Sequence, residues 1–272
     1  MAMQSGTVRV AVQIAPERAD YARIREAASE ADRLGADAIF TWDHFFPLGK
    51  DRTGKHFECW TTLGAWAEST GRAEIGALVS CVAYRNPDLL ADMARTVDHI
   101  SGGRLILGLG AGFRGWEAEQ YGYDFGSPAQ RVEDLRNALD RIERRLAVLN
   151  PQPTRKIPVL VAADGPKALR SVARYADIWH TFAKGDALGE KARQLDGYCR
   201  ELGRDPAEIE RSSFVDGDPW TVGPQLREHG VGMFTVLTHG PDHDLDELRR
   251  WLTWRDEQNA GRAGARRSAR AG

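Results

Sequence analysis

Two adjacent titratable residues, Asp43 and His44, directly follow a run of residues, 38–42, that has the character of a buried β-strand. A buried strand ordinarily ends in turn residues, whereas this one ends in an acid and a base. Histidine titrates near neutrality and can therefore act as a base, an acid or a hydrogen-bond donor to a ligand. The plainer interpretation is that Asp43 caps a turn and that His44 packs in the interior.

Polar residues also follow the other apolar runs of the chain. The ends of parallel barrel strands meet on one face, and barrel enzymes carry their chemistry there. This location favours a chemical role for Asp43 and His44 over a packing role. The other polar residues at the ends of such runs are Gln13, Ser80, Glu117, Thr181, Lys184, Asp216, Thr238 and His239.

Two turns with glycine follow apolar runs and are candidates for holding a ligand. The three glycines of residues 108–112 have no side chains, so the backbone there could approach a flat or anionic ligand closely. A tight connection between two elements would explain the same glycines equally well. Residues 162–166 enter a helix whose free N–H groups suit a phosphate, although Asp164 would compete for them as an N-cap. Phe113 and Trp116 either stack on a ring system or belong to the core.

Eight short apolar or β-branched runs alternate with helical patterns and predict the elements that position these residues. Asn86 before Pro87 and Ser127 before Pro128 mark two helix starts. This alternation predicts a single α/β domain over residues 1–258, a (β/α)8 TIM barrel. An open doubly wound sheet would carry a glycine-rich turn after the first strand, where residues 13–17 contain no glycine. The eight runs are residues 8–14, 38–42, 74–81, 105–109, 159–163, 177–181, 211–215 and 233–237.

The composition excludes several classes of protein. With 272 residues, 42% hydrophobic and 28% charged, the chain has the composition of an ordinary soluble globular protein. A net charge of −2 gives no reason to expect nucleic acid or a membrane as a partner. Three scattered cysteines indicate neither disulfides nor a metal site and fit a cytoplasmic location. There is no signal-peptide pattern or apolar span, and residues 259–272 are expected to form a disordered basic tail.

Four stretches of the sequence together resemble one known family. They are TWDHF at 41–45, VSCVAYRNP at 79–87, HISGGRLILGLGAG at 99–112 and PVLVAADG at 158–165. They resemble the bacterial luciferase-like superfamily and, more narrowly, its members that use the deazaflavin coenzyme F420. The resemblance runs from about residue 8 to residue 254 and implies a (β/α)8 barrel with the cofactor ring lying across the strand ends. It implies an oxidoreductase that transfers a hydride between coenzyme F420 and a small organic substrate.

The resemblance also implies roles for individual residues. Asp43 would hydrogen-bond the deazaflavin ring region, and His44 would supply a proton near the reacting carbon with Asp43 fixing its orientation. A non-proline cis peptide is expected between Ala77 and Leu78, with Ser80 donating a hydrogen bond nearby. The remaining cofactor-binding positions implied are Gly110, Ala111, Gly112 and Trp116, and then Ala162, Ala163, Asp164 and Gly165 along the phosphate-bearing tail.

The chain departs from the family pattern at positions that bear on the substrate. Leu48 stands where the sugar-phosphate dehydrogenases of the family have a tryptophan, and Phe113 stands where they have a glutamate. Glu117 is near the position of that glutamate but not at it. Because both family residues are absent from their positions, the resemblance argues against a sugar phosphate as the substrate. The positions expected to meet the substrate are Gln13, Leu48, Phe113, Glu117, Thr181 and Lys184.

Two other functions stay open beside the F420-dependent oxidoreductase. One is an FMN-dependent monooxygenase that receives reduced flavin from a separate reductase. The other is a cofactor-binding protein without catalysis. This alternative is based on three departures from the family pattern, Leu48, Phe113 and Asp164. A homodimer contact through Trp60, Trp66 and Met93 is weighed equally against packing within the chain.

Overall fold

Parallel β-strands alternate with α-helices from the first strand to the last helix. The structure, a computed structural model, describes residues 6–49 and 51–271, and the side chains of the last helix as far as Gly261. The strands are β1 (Arg9–Ile14), β2 (Ala38–Thr41), β3 (Glu74–Ala77), β4 (Ser80–Cys81), β5 (Leu105–Gly110), β6 (Val159–Ala162), β7 (Ile178–Thr181), β8 (Glu210–Phe214) and β9 (Val231–Thr238). The helices are α1 (Tyr21–Leu34), α2 (Cys59–Ser69), α3 (Pro87–Ser101), α4 (Gly115–Gln120), α5 (Pro128–Leu146), α6 (Pro166–Tyr175), α7 (Asp186–Glu201), α8 (Pro219–Glu228) and α9 (Asp246–Ala271).

The strands close into one barrel. Their order is β3-β2-β1-β9-β8-β7-β6-β5-β4, and β3 also pairs with β5. Since β3 and β4 both pair with β5 and succeed one another in the chain, they fill a single position in the barrel. The described strands therefore form the eight-membered parallel barrel that the eight apolar runs predict, and the fold prediction is confirmed.

A non-proline cis peptide separates β3 from β4, but it joins Leu78 to Val79. The prediction of Ala77–Leu78 is wrong by one residue. The Leu78 N–H donates to the carbonyl oxygen of Thr41 at 2.7 Å, so the ladder with β2 continues through the Ala77–Leu78 peptide. The irregular segment begins only after that bond.

Alternate residues of the strands fill the inside of the barrel. Because successive side chains of a strand point to opposite faces, the other set packs outward against the helices. Trp60 and Trp66 of α2 belong to this outer core and are 3% and 0% exposed, so packing within the chain accounts for them. Met93 is half-buried against the same core. A homodimer stays a prediction that none of these residues supports. The buried inner cluster is Ala11, Ala38, Phe40, Leu78, Ile106, Leu160, Ile178 and Met233.

Two predicted helix starts are confirmed, and the chain end differs from its prediction. Asn86 caps α3 by accepting from the Asp88 N–H, and Ser127 caps α5 by accepting from the Gln130 N–H. Helix α9 continues to Ala271, through most of the segment expected to be disordered, while Gly272 lies outside the described residues. Alanine and arginine are good helix formers, which explains why the helix can continue there.

An ion-pair cluster closes the amino-terminal end of the barrel. Arg9 of β1 contacts Glu74 of β3 and, at 2.8 Å, Glu210 of β8. Arg155 contacts Glu74 from the other side at 2.6 Å. These charges lie at the end of the barrel opposite to the predicted site. Within the described part of the chain, no helix has the length and apolar character needed to cross a membrane.

Candidate active site

A buried carboxylate lies between a histidine and an arginine at the carboxyl ends of the strands. Glu117 of α4 has no exposed surface, and its Oε2 lies 2.9 Å from Nδ1 of His44. Its Oε1 lies 3.0 Å from Nη1 of Arg114, although this contact lacks hydrogen-bond geometry. The His44 side chain, which follows β2, is 15% exposed. The imidazole therefore connects a buried carboxylate with the mouth of the barrel, an arrangement that can orient a general acid or base.

Asp43, the neighbour of His44 in the sequence, has a different partner. Its Oδ2 accepts from Arg85 at 2.5 Å and from the Cys81 N–H at 3.2 Å, and its Oδ1 accepts from Arg85 at 3.1 Å. Burial raises the pKa of Asp43, and the Arg85 guanidinium opposes that rise. The prediction that Asp43 orients His44 is wrong, because both of its oxygens tie the end of β2 to the segment around β4. With only 1% of the side chain exposed, Asp43 is also a poor candidate for a direct contact with a cofactor ring.

Two aromatic side chains flank His44. The Trp42 ring lies 6.3 Å from the imidazole, and its Nε1 donates to Nε2 of His56 at 3.3 Å. Burial, followed by the nearby His44, lowers the pKa of His56 to about 4, so His56 is neutral near pH 7 and can accept this bond. Phe113 is 72% exposed and meets the imidazole edge-on at 5.5 Å. Phe113 therefore lies beside His44 at the mouth, where a substrate-contacting residue was predicted.

Glycines within and just after β5 make room for the third strand position. A Cβ on Gly108 would collide with the backbone oxygen of Ala77, and one on Gly110 would lie 2.6 Å from the Val79 side chain. Gly112 has a φ of +73°, in the left-handed region that favours glycine. Close contacts and backbone conformation within the chain are sufficient to explain these glycines, in agreement with the alternative that they form a tight connection. The predicted cofactor role of residues 110–112 stays a prediction.

Two polar residues predicted to meet ligands instead bind the protein's own atoms around the cis peptide. Gln13 Nε2 donates to the carbonyl oxygen of Leu78 at 2.6 Å in the barrel interior. Ser80 Oγ accepts from the Trp60 indole at 2.8 Å, so in this bond Ser80 is the acceptor. Gln13 and Ser80 therefore fix the third strand position from the inside and the outside of the barrel wall.

Among the residues that the structure describes, no side chain caps the first N–H groups of α6 after the turn that follows β6. Asp164 accepts from the Thr181 hydroxyl and, at 3.1 Å, from the Phe182 N–H, while Gly165 is the N-cap residue. The expectation that Asp164 competes for the helix N–H groups is wrong, because the end of β7 holds its carboxylate. Thr181, a predicted substrate residue, is likewise committed to Asp164. A Cβ added at Gly165 would meet no atom within 4 Å, so the space beside Gly165 is open.

The remaining predicted positions lie around the rim. The Arg52 guanidinium lies 3.9 Å from the centre of the Trp116 ring. Lys184 is 67% exposed and lies 3.5 Å from a carboxylate oxygen of Asp216. Leu48 is half-buried, and its N–H is bound by a neighbouring buried glutamate at 2.7 Å. Ala162 and Ala163 line the end of β6 beside the α6 turn.

The sequence analysis missed the two partnerships that organise the site. Arg85 belongs to one of the quoted motifs, but nothing in the sequence pairs it with Asp43. Glu117 was named only as a substrate position, and it lies 73 residues from His44 in the sequence. It also belongs to α4, a helix of six residues that is too short to leave a periodic pattern.

Two other kinds of site are possible on the described surface, an outer groove and a metal-binding cluster. A groove of about 800 Å³ lies on the outer wall between α5 and α6, lined by residues such as Leu139, Ile142 and Tyr175 and not by the polar residues at the carboxyl ends of the strands. In the described segments, no group of three or more histidine, cysteine or acidic side chains is placed to hold a metal ion. The residues around His44 and Glu117 at the strand ends are therefore the candidate active site.

The chain forms a closed parallel (β/α)8 barrel with titratable side chains at its strand ends, which is the architecture of barrel enzymes. The sequence model of the luciferase-like monooxygenase family matches residues 3–216, and the chain belongs to that family.

The chain is similar to several known proteins. It is 34% identical over 175 residues to a phthiodiolone/phenolphthiodiolone dimycocerosates ketoreductase of Mycobacterium sp. (strain JLS), which covers 56% of this chain and 45% of that protein. It is 29% identical over 171 residues to an F420-dependent glucose-6-phosphate dehydrogenase of Amycolatopsis mediterranei (strain U-32), covering 56% and 50%. The chain thus matches about half the length of these relatives.

The fold also matches solved structures. An F420-dependent secondary alcohol dehydrogenase in complex with an F420-acetone adduct superimposes with a TM-score of 0.77 at 17% identity. The match covers 88% of this chain and 96% of that one. At this identity the likeness shows a common barrel fold.

Proposed function

We propose that the protein is an oxidoreductase that transfers a hydride between coenzyme F420 and a small organic substrate. The observation that carries the proposal is the His44–Glu117 pair at the mouth of a luciferase-like barrel. The names of two similar proteins, an F420-dependent dehydrogenase acting on a sugar phosphate and one acting on secondary alcohols, support F420 as the cofactor. FMN is the alternative.

The residues at the mouth are compatible with a flat cofactor that carries a phosphate. The uncapped N–H groups of α6, behind Gly165, are suited to the phosphate-bearing tail, because a helix start attracts anions and the space there is open. Ala162 and Ala163 would line that tail, and residues 110–112 would border the ring. When bound, the deazaflavin supplies the hydride chemistry.

The protein's own part in the reaction is to hold and move one proton. Hydride addition to a carbonyl carbon leaves an oxygen that must take up a proton, and the reverse reaction must release one. His44 is the group that holds this proton near the mouth, and the buried Glu117 carboxylate fixes the ring through Nδ1. His44 Nε2 is then the atom that faces the substrate. General acid–base assistance of this kind is worth about 10² to 10⁴ in rate.

The cofactor is tested by fluorescence titration of the purified protein with coenzyme F420 and, separately, with FMN. Binding of F420 at micromolar concentrations with much weaker binding of FMN is the expected result. A preference for FMN would replace the proposal by the flavin-dependent monooxygenase. Tight F420 binding without turnover on a broad panel of ketones and secondary alcohols would favour the protein without catalysis.

The His44–Glu117 pair is tested by Glu117→Gln, which keeps the shape of the side chain and removes its charge. With the best substrate from that panel, we expect kcat to fall about 10²-fold or more while the Kd for F420 changes little. The matched control is Glu119→Gln, on the same helix but exposed, which should keep full activity. Unchanged kcat in Glu117→Gln would remove the pair from the mechanism.

A further inference from the structure

A second histidine lies inside the barrel, across from His44. His180 belongs to β7 and follows Ile178, a member of the inner cluster, by two residues. Because side chains alternate along a strand, His180 also points inward. In the closed strand order, β2 and β7 are separated by three barrel positions on each side, so the two strands face each other across the mouth. His180 itself is completely buried.

Only one nitrogen of the His180 imidazole has a partner among the described residues. Its Nδ1 lies 3.0 Å from the hydroxyl of Ser212, which in turn lies 3.4 Å from the hydroxyl of Thr235. Its Nε2 is buried and has no hydrogen-bond partner in the described part of the chain. Buried polar atoms are nearly always satisfied, and leaving one unpaired is unfavourable. One further hydrogen bond, made by Nε2, would therefore satisfy the ring.

The surroundings of the ring indicate which kind of partner would suit Nε2. Burial is the cause that lowers the pKa of His180, to about 3, so the imidazole is neutral at any ordinary working pH. A neutral imidazole offers one donor and one acceptor and no charge. It therefore suits an uncharged oxygen and is a poor partner for a carboxylate or a phosphate, whose burial requires a cation.

Two aromatic side chains from the carboxyl ends of β7 and β8 pack against the ring. Phe214 lies 4.6 Å and Phe182 lies 5.2 Å from the imidazole, both close to perpendicular. Phe182 follows β7 and is 58% exposed, so it can turn further into solvent and break only part of its packing. Movement of Phe182 is thus the simplest route by which a ligand reaches Nε2.

We propose that His180 is a second ligand-binding residue, whose Nε2 hydrogen-bonds an uncharged carbonyl or hydroxyl oxygen bound in the mouth opposite His44. This inference rests on the proposed function, and the oxygen belongs either to the deazaflavin ring or to the substrate. Ser212 is the positioning residue, because its hydroxyl fixes the ring through Nδ1.

The test follows the imidazole nitrogens by NMR in protein labelled with ¹⁵N-histidine. His180→Phe keeps an aromatic ring, removes both nitrogens and assigns the His180 signals by their loss. One sample receives coenzyme F420 alone, and a second receives F420 with cyclohexanone as a neutral ketone. His99, an exposed residue at the end of α3, serves as the internal control that should not respond.

We expect the Nε2 signal of His180 to shift in one of the two samples. A shift with F420 alone assigns the oxygen to the cofactor, and a shift only after cyclohexanone assigns it to the substrate. In the corresponding titration, His180→Phe should weaken the affinity for that ligand about five- to tenfold, the effect of one neutral hydrogen bond. If His180→Phe does not fold, Ser212→Ala replaces it and should weaken the same affinity.

Two results would overturn the inference, and they are distinguishable. If F420 binds by fluorescence but the Nε2 signal stays unchanged in both samples, His180 is structural and the proposed function stands. If F420 does not bind to the wild-type protein at all, the proposed function fails and this inference fails with it.

Discussion

At the scale of single residues, the partner of His44 is not its neighbour in the chain. Asp43 and His44 adjoin in sequence, yet Asp43 binds Arg85 while His44 binds Glu117. Successive side chains at the end of a strand diverge, so adjacent residues rarely share a partner. The two residues therefore belong to separate pairs. The Asp43–Arg85 pair anchors the strand end, and the His44–Glu117 pair can hold and transfer a proton.

The buried Asp43–Arg85 pair allows a prediction about stability and pH. Removing one partner of a buried ion pair leaves the other charge uncompensated, which costs about 3–5 kcal/mol. We therefore expect Arg85→Met to lower the free energy of unfolding by this amount at pH 7.5, measured by urea denaturation. The deficit should shrink when the measurement is repeated at pH 4.5.

The direction of the pH effect follows from the Asp43 carboxyl. Burial already raises its pKa, and without the guanidinium the pKa in the folded state rises further above the unfolded value of about 3.9. Between these two values the folded state binds more protons than the unfolded state, so stability falls as the pH rises. Arg85→Met with Asp43→Asn is the control and should recover most of the loss at pH 7.5. An equal deficit at both pH values in the single variant would contradict this account.

At the scale of elements, the third strand position and β5 are shaped for each other. The chain of β3 and β4 bends at the Leu78–Val79 peptide, and Gly108 and Gly110 of β5 give way to it. Gln13 of β1 holds the same segment through the Leu78 carbonyl oxygen. The glycines of residues 108–112, which resemble a ligand-binding turn, are therefore also explained by packing within the chain.

Gly108→Ala tests that structural reason. The new Cβ would meet a backbone oxygen of β3, which cannot move aside as a side chain would. We expect a loss of about 1–3 kcal/mol or more in the free energy of unfolding, the usual cost of overpacking. Gly197→Ala is the matched control, because Gly197 lies within α7 and a Cβ there meets nothing within 4 Å. It should raise stability by about 0.5–1 kcal/mol, and similar effects of both variants would refute the packing argument.

At the scale of the whole molecule, the barrel depends on its last strand. β9 pairs with β1 along six residue pairs and with β8 on its other side, so it joins the two ends of the chain. Asn259 of α9 adds two hydrogen bonds of 2.9 Å with the backbone of Val8. The segment that the family model matches, residues 3–216, ends before this closure.

Truncation tests the importance of closure. A chain ending at residue 216 would leave the edges of β1 and β8 unpaired, and unpaired edges promote aggregation. We expect it to lose cooperative unfolding by circular dichroism and to bind a hydrophobic dye. The chain ending at Gly261 keeps β9 and the Asn259 contacts and should unfold like the full-length protein. Cooperative folding of the shorter chain would show that closure is dispensable.

The sequence by itself determined the architecture. Short apolar or β-branched runs, helix caps such as Asn86 and Ser127 and the absence of glycine after β1 are local signals, and they are sufficient to predict an eight-membered parallel barrel. They also placed the candidate site residues at the strand ends, because strand ends are defined along the chain. The resemblance added the family and a cis peptide one residue from its true position.

Only the tertiary structure decided which of these residues act together. Glu117 reaches His44, Arg85 reaches Asp43 and Ser212 reaches His180 across 73, 42 and 32 positions of the chain. No periodicity links residues so far apart, because their distance depends on how the barrel closes and on where short elements such as α4 turn. The same closure buries His180 and leaves one of its nitrogens without a partner among the residues that the structure describes. No pattern in the sequence records that environment.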